Sequence, residues 1–84
     1  MFEYYVTFRA LSAAQKARRY LTEEGIGAVL SRSPKTMSDQ GCGFVLRLSA
    51  QDAMYAVGIL RRRSAGFDRM YRVFADGRTQ EVRL

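Results

Sequence analysis

An α+β fold, with two helices on one face of an antiparallel sheet, is predicted by three observations. First, two short stretches alternate strictly between apolar and polar residues. Second, two stretches with helical spacing each open on a Ser-x-x-polar signal and run to a glycine. Third, these stretches follow one another in the order strand, helix, strand, strand, helix, strand.

The elements follow in chain order. In residues 2–9, Phe2, Tyr4, Val6 and Phe8 fall on one face and Glu3, Tyr5, Thr7 and Arg9 on the other, the period of a half-buried strand. Ser12-Ala13-Ala14-Gln15 fits a capping box, in which the serine oxygen takes an orphan N–H and the glutamine reaches back. Ala10, Ala14, Ala17 and Leu21 then recur at helical spacing, and Gly25 stands where a helix commonly stops. A second strand is expected over roughly residues 27–33, ending at Pro34. Residues 34–41 carry turn and loop residues. In the third strand Phe44, Leu46 and Leu48 share a face, with Val45 and Arg47 opposite. Arg47 fixes this phase: turned inward, its guanidinium would be buried unpaired at a cost of several kcal/mol. Ser49-Ala50-Gln51-Asp52 is a second capping box. Ala53, Val57 and Leu60 form the apolar stripe of its helix, Arg61, Arg62 and Arg63 suit the negative end of the helix dipole, and Gly66 closes it. Residues 68–75 read as a fourth strand.

The compact solution for this order is a ferredoxin-like β-α-β-β-α-β sandwich with the antiparallel sheet in order 4-1-3-2 and both helices on one face. Asp76-Gly77 is a strong signal for a two-residue hairpin turn. A fifth strand is therefore expected beyond the fourth, with Arg72 opposite Glu81 and Tyr71 opposite Val82. The chain divides into a ferredoxin-like domain over residues 1–75 and a hairpin extension over residues 76–84.

Composition narrows the chemistry. At 84 residues the chain is one domain. It holds no histidine and one cysteine, which argues against a Ser-His-Asp triad, an internal disulfide, and a zinc or iron–sulfur cluster. Fourteen Lys and Arg against eight Asp and Glu give a net charge of +6, from 12 arginines and 2 lysines. Arginine suits planar oxyanions, which invites a nucleic-acid reading, but it also serves simply to solvate a surface. No apolar run approaches the ~18 residues that a membrane span needs. The opening MFEYYVTF lacks the basic segment of an export signal, so a reducing cytoplasm is the expected compartment, with no membrane partner.

Cys42 is the one conventional nucleophile. It sits between Gly41 and Gly43 at the mouth of the third strand, where small neighbours allow close approach by another molecule. In the expected topology that mouth lies at the end of the sheet where the first strand ends, the first helix begins and the second helix finishes. Arg9, Lys35, Arg61–Arg63 and Arg69 are expected to gather there, and cations and a helix N-terminus favour the thiolate. The alternative is that Cys42, in phase with Phe44 and Leu46, is a small buried apolar residue.

These segments together resemble the small bacterial selenium/sulfur carrier-like domain family. The resemblance rests on Tyr4-Tyr5-Val6-Thr7-Phe8, the Ala17/Leu21 helix running to Gly25-Ile26, Pro34, and Ser38-Asp39-Gln40-Gly41-Cys42-Gly43 followed by Phe44 to Leu48. It covers about residues 4–73. The Ser38-to-Cys42 spacing is one residue longer than the family pattern. The resemblance implies a carrier rather than a turnover enzyme. Cys42 would hold sulfur or selenium as a persulfide-type adduct, received from a donor protein and passed to an acceptor, with no cofactor. Gly41, Gly43, Pro34, Arg9 and Lys35 would surround the cargo.

A competing reading comes from RNA-recognition motifs, which share the element order. Their third-strand signature is matched here at Gly41, Gly43, Phe44 and Val45 and missed at Gln40, Cys42 and Arg47. Cys42 stands where a stacking aromatic is required. A nucleic-acid partner is therefore disfavoured. A third reading is a homodimer or other interaction through the open sheet face, with Tyr5, Arg47 and Tyr71 as the interface residues.

Overall fold

The structure is a computed structural model and describes residues 2–33 and 43–82. The chain runs β1 (Phe2–Phe8), α1 (Leu11–Glu23), β2 (Val29–Arg32), β3 (Phe44–Ser49), α2 (Ala53–Arg62), β4 (Met70–Phe74) and β5 (Thr79–Val82). The strands form one antiparallel sheet in the order β2-β3-β1-β4-β5. The order differs from the expected four-strand 4-1-3-2 by the added fifth strand. Read from the β4 side, the four expected neighbours recur, and β5 lies outside β4.

One face of the sheet carries the main core. Tyr4, Val6, Phe8, Leu46, Leu48 and Met70 point to it, and Ala14, Ala17 and Leu21 of α1 and Ala53, Ala56, Val57, Ile59 and Leu60 of α2 close over them. Leu21, Leu46, Ile59 and Leu60 are fully enclosed. The alanines on α1 let that helix approach the sheet closely. Burying side chains of this size contributes about 1.5–3 kcal/mol each.

The helix ends follow local chemistry, with three departures from expectation. Ser12 is not the cap of α1. The helix starts at Leu11 after an extended Ala10, without a side-chain capping bond, and the Ala14 N–H donates to the Ala10 carbonyl. Arg9 and Ala10 are enough to turn the chain, so Ser12 falls within the first turn and Ala10 precedes the apolar stripe. At the other end Gly25 takes φ 82°, the Ile26 N–H donates to the Leu21 carbonyl and the Gly25 N–H to that of Thr22. These paired bonds are a Schellman motif, and Ile26 packs in the core with Leu21. In the second box the Asp52 N–H donates to the Ser49 hydroxyl at 3.3 Å, but within a turn that precedes the helix: Asp52, not Ser49, is the cap of α2, and it makes no side-chain capping bond. The carboxylate of Asp52, however, accepts from that hydroxyl rather than from the Ser49 backbone. The residue that closes α2 is Ser64, not Gly66: Ser64 adopts φ 55°, its N–H donates to the Arg61 carbonyl, and the Ala65 N–H donates to that of Leu60.

The tail corrects a register. The Gly77 N–H donates to the Phe74 carbonyl and the Phe74 N–H to that of Arg78, so the loop holds Ala75, Asp76 and Gly77, with Gly77 at φ 92°. Three loop residues instead of two slide the pairing by one position. Tyr71 faces Glu81, Arg72 faces Gln80 and Met70 faces Val82, in place of the expected Arg72–Glu81 and Tyr71–Val82 pairs. The slip moves Val82 against the main core and Glu81 to the opposite face. Arg72, left without a carboxylate, donates to the Tyr4 hydroxyl at 3.2 and 3.3 Å and lies over the Phe2 ring. Among the described residues, no buried side-chain polar atom lacks a partner. No helix among them is long and apolar enough to cross a membrane.

Candidate functional site

The connection between β2 and β3 is anchored at its base. The Ser33 N–H donates to the Gly43 carbonyl at 3.0 Å, continuing the β2–β3 ladder one step past the Arg32–Phe44 pair. Phe44 in turn pairs with Phe8 of β1. Gly43 is half-buried and takes φ 155°, an angle that side-chain-bearing residues rarely adopt. Cys42, Gly41, Pro34 and Lys35 lie outside the described residues.

Arg9 follows Phe8 directly and so stands at the same end of the sheet as Gly43. Its guanidinium is 86% exposed and pairs with Asp68 at 3.5 Å. Asp68 and Arg69 are held there through Thr7. The Thr7 N–H and hydroxyl both donate to the Arg69 carbonyl (2.8 and 3.2 Å), the Arg69 N–H donates to the Thr7 hydroxyl (2.9 Å), and the Asp68 N–H donates to the Thr7 carbonyl (2.8 Å).

The expected gathering of cations at this end holds for Arg9 and Arg69 and fails for Arg63. Arg63 reaches Glu23 at 2.5 Å and Glu24 at 3.5 Å, at the C-terminal end of α1 rather than beside its N-terminus, and lies over the Tyr20 ring. The hydrogen bond to Glu23 raises the Arg63 pKa above the ordinary arginine value. Arg69 pairs with Glu81 at 3.5 Å. Its pKa is raised by a hydrogen bond with Tyr71 first and by the Glu81 charge second. An open groove of about 490 Å³ runs beside them, lined by Arg61, Phe67, Asp68, Arg69, Glu81 and Val82 among others.

Tyr5, Arg47 and Tyr71 are brought together. Arg47 pairs across the ladder with Tyr5, and Tyr5 with Tyr71, so the three form one row on the face away from the helices. Arg47 also binds Glu3 at 3.3 Å, and its guanidinium lies 5.9 Å from the Tyr5 ring centroid. Val45 and Tyr71 are buried on this face, with Tyr5 and Val73 packed against them. Sequence reasoning passed over three charged members of the face. Glu3 was legible as an odd-numbered neighbour of Tyr5. Glu81 was hidden by the register of the hairpin, whereas Arg69 was legible as an odd-numbered neighbour of Tyr71.

The fold defines a small α+β domain whose β2–β3 connection ends at Gly43. The chain belongs to the family described as "Putative Se/S carrier protein-like", whose model matches residues 3–72. No curated protein and no solved structure gives a significant match.

Proposed function

We propose that the protein is a chalcogen carrier that holds sulfur or selenium as a persulfide-type adduct on Cys42. Family membership over residues 3–72, a span that includes the Gly41-Cys42-Gly43 segment, carries this reading. The geometry next to Cys42 supports it. Gly43 has a backbone angle that keeps a bulky residue out, and the Ser33–Gly43 hydrogen bond fixes the base of the connection. The strand order supports the ferredoxin-like arrangement, with the Gly43 end of β3 at the same end of the sheet as Arg9.

In the loading step the Cys42 thiolate attacks the terminal sulfur of a donor's persulfide. A new S–S bond forms on Cys42, the donor's S–S bond breaks, and the donor cysteine leaves as its thiolate. With a selenium-bearing donor the same displacement forms an S–Se bond on Cys42. Delivery repeats the exchange toward an acceptor. Gly41 and Gly43 leave the backbone open for docking, while Pro34, Arg9 and Lys35 frame the anionic cargo. No resident cofactor enters, and the setting proposed is the reducing cytoplasm.

The test is incubation of the reduced protein with a cysteine desulfurase and cysteine, followed by intact mass. A gain of one sulfur atom on the wild type, absent in Cys42→Ser, is the expected result. An unmodified wild type, or equal modification of both proteins, overturns the reading.

A further inference from the structure

The sheet face away from the helices has a charge pattern that a second copy of the chain matches. Its middle row runs across all five strands as Val29, Arg47, Tyr5, Tyr71, Glu81. The two tyrosines are central, with the cation on one side of them and the anion on the other. One flanking row holds Ser31, Val45, Thr7 and Arg69, and the other holds Ser49, Glu3, Val73 and Thr79. A rotation of 180° about an axis parallel to the strands, passing between Tyr5 and Tyr71, is the symmetry of a closed two-fold dimer. It sets Glu81 of the second copy over Arg47, Tyr71 of the second copy over Tyr5, and each of these the other way round. In the flanking rows it sets Arg69 against Thr7 and Glu3 against Val73. No like charges stand directly opposite one another.

We propose that two copies of the chain pack sheet to sheet through this face, in the aligned manner of a β-sandwich. Charge also discriminates against a nucleic acid. The face carries Glu3, Arg47, Arg69 and Glu81, which cancel, Arg9 at its margin is paired with Asp68, and each of these arginines already has a carboxylate within 3.5 Å. A polyanion needs a net positive surface. The positive excess lies elsewhere, on Lys16, Arg18, Arg19, Arg61 and Arg62 of the helices. The apolar part fits an interface of modest affinity: Val45 and Tyr71 are already packed by their neighbours and Tyr5 and Val73 are half-exposed, while β2 with Val29 lies outside the overlap. This inference uses no property of Cys42 and stands apart from the carrier reading.

The experiment is solution mass by sedimentation equilibrium, under reducing conditions and over a range of concentrations. The wild type is expected to pass from monomer to dimer. Arg47→Glu and Glu81→Arg each place two like-charge contacts at the two-fold interface, and each is expected to weaken the dimer about tenfold or more. An equimolar mixture of the two variants restores both attractions, so the mixture is expected to dimerise where neither variant does alone. Circular dichroism of each variant checks that the fold is kept. A wild type that stays monomeric, variants that dimerise like the wild type, or a mixture that stays monomeric overturns the proposal. So does single-stranded RNA that binds the wild type and is lost in Tyr5→Ala.

Discussion

The two faces of one sheet solve the same burial problem differently, and β3 displays both solutions in six residues. Phe44, Leu46 and Leu48 turn to the helices and join the main core of aliphatic and aromatic side chains. Val45, Arg47 and Ser49 turn the other way, where no helix covers them. Even so, Val45 is fully buried, because Tyr71, with Tyr5 and Val73 around it, forms a second, small cluster. Around that cluster the charges are arranged in opposite pairs, Arg47 with Glu3 and Arg69 with Glu81. The covered face therefore holds most of the apolar stabilisation, while the open face is ordered by cross-strand neighbours and paired charges.

The sharpest test of this division is a pair of truncations one residue apart. Leu46→Ala empties a fully enclosed site under both helices and is expected to cost about 3 kcal/mol or more in denaturant unfolding. Val45→Ala removes two carbons from the small cluster and is expected to cost about 1.5 kcal/mol. Equal costs at the two positions would break the comparison, because the open face would then be as much a core as the covered one. Next in size is Thr7→Val. It keeps the shape but leaves the Arg69 N–H without the Thr7 hydroxyl, at an expected cost of about 1 kcal/mol. The same unfolding measurement checks it, and a neutral effect would show that the strand pairing alone holds β1 to β4 at this end.

Much of this was legible in the sequence, and the reasons for the rest are local. The phase of β1 and β3 was readable because alternation with a single decisive residue, Arg47, leaves one register. The α1 stop at Gly25 was readable because a glycine stood at the position that needs a positive φ. The α2 stop was misread for the converse reason. A serine occupies that position, and the nearest glycine, Gly66, lies two residues further on. The hairpin was placed correctly but slipped by one, because Asp76-Gly77 fits both a two-residue turn and a three-residue loop ending on glycine. Arg63 was assigned by helix position alone, and the glutamates that claim it lie 39 and 40 residues away in sequence. The proposed site at Cys42 rests on family resemblance, and residues 34–42 lie outside the described structure.

The smallest effect tests the open face most closely. In dilute protein, Arg47→Ala removes an ion pair whose side chains are 42% and 48% exposed, so unfolding is expected to change by no more than about 0.5 kcal/mol. The Arg47–Glu3 coupling in a double-mutant cycle is expected to fade in high salt. If the open face meets a second copy, the same substitution grows costly as protein concentration rises, because Arg47 then also loses Glu81 of that copy. Mass action ties wild-type stability to dimer formation. A cost that is independent of concentration would mean that the face is only solvated. A rising cost would mean that the paired charges also serve recognition between copies.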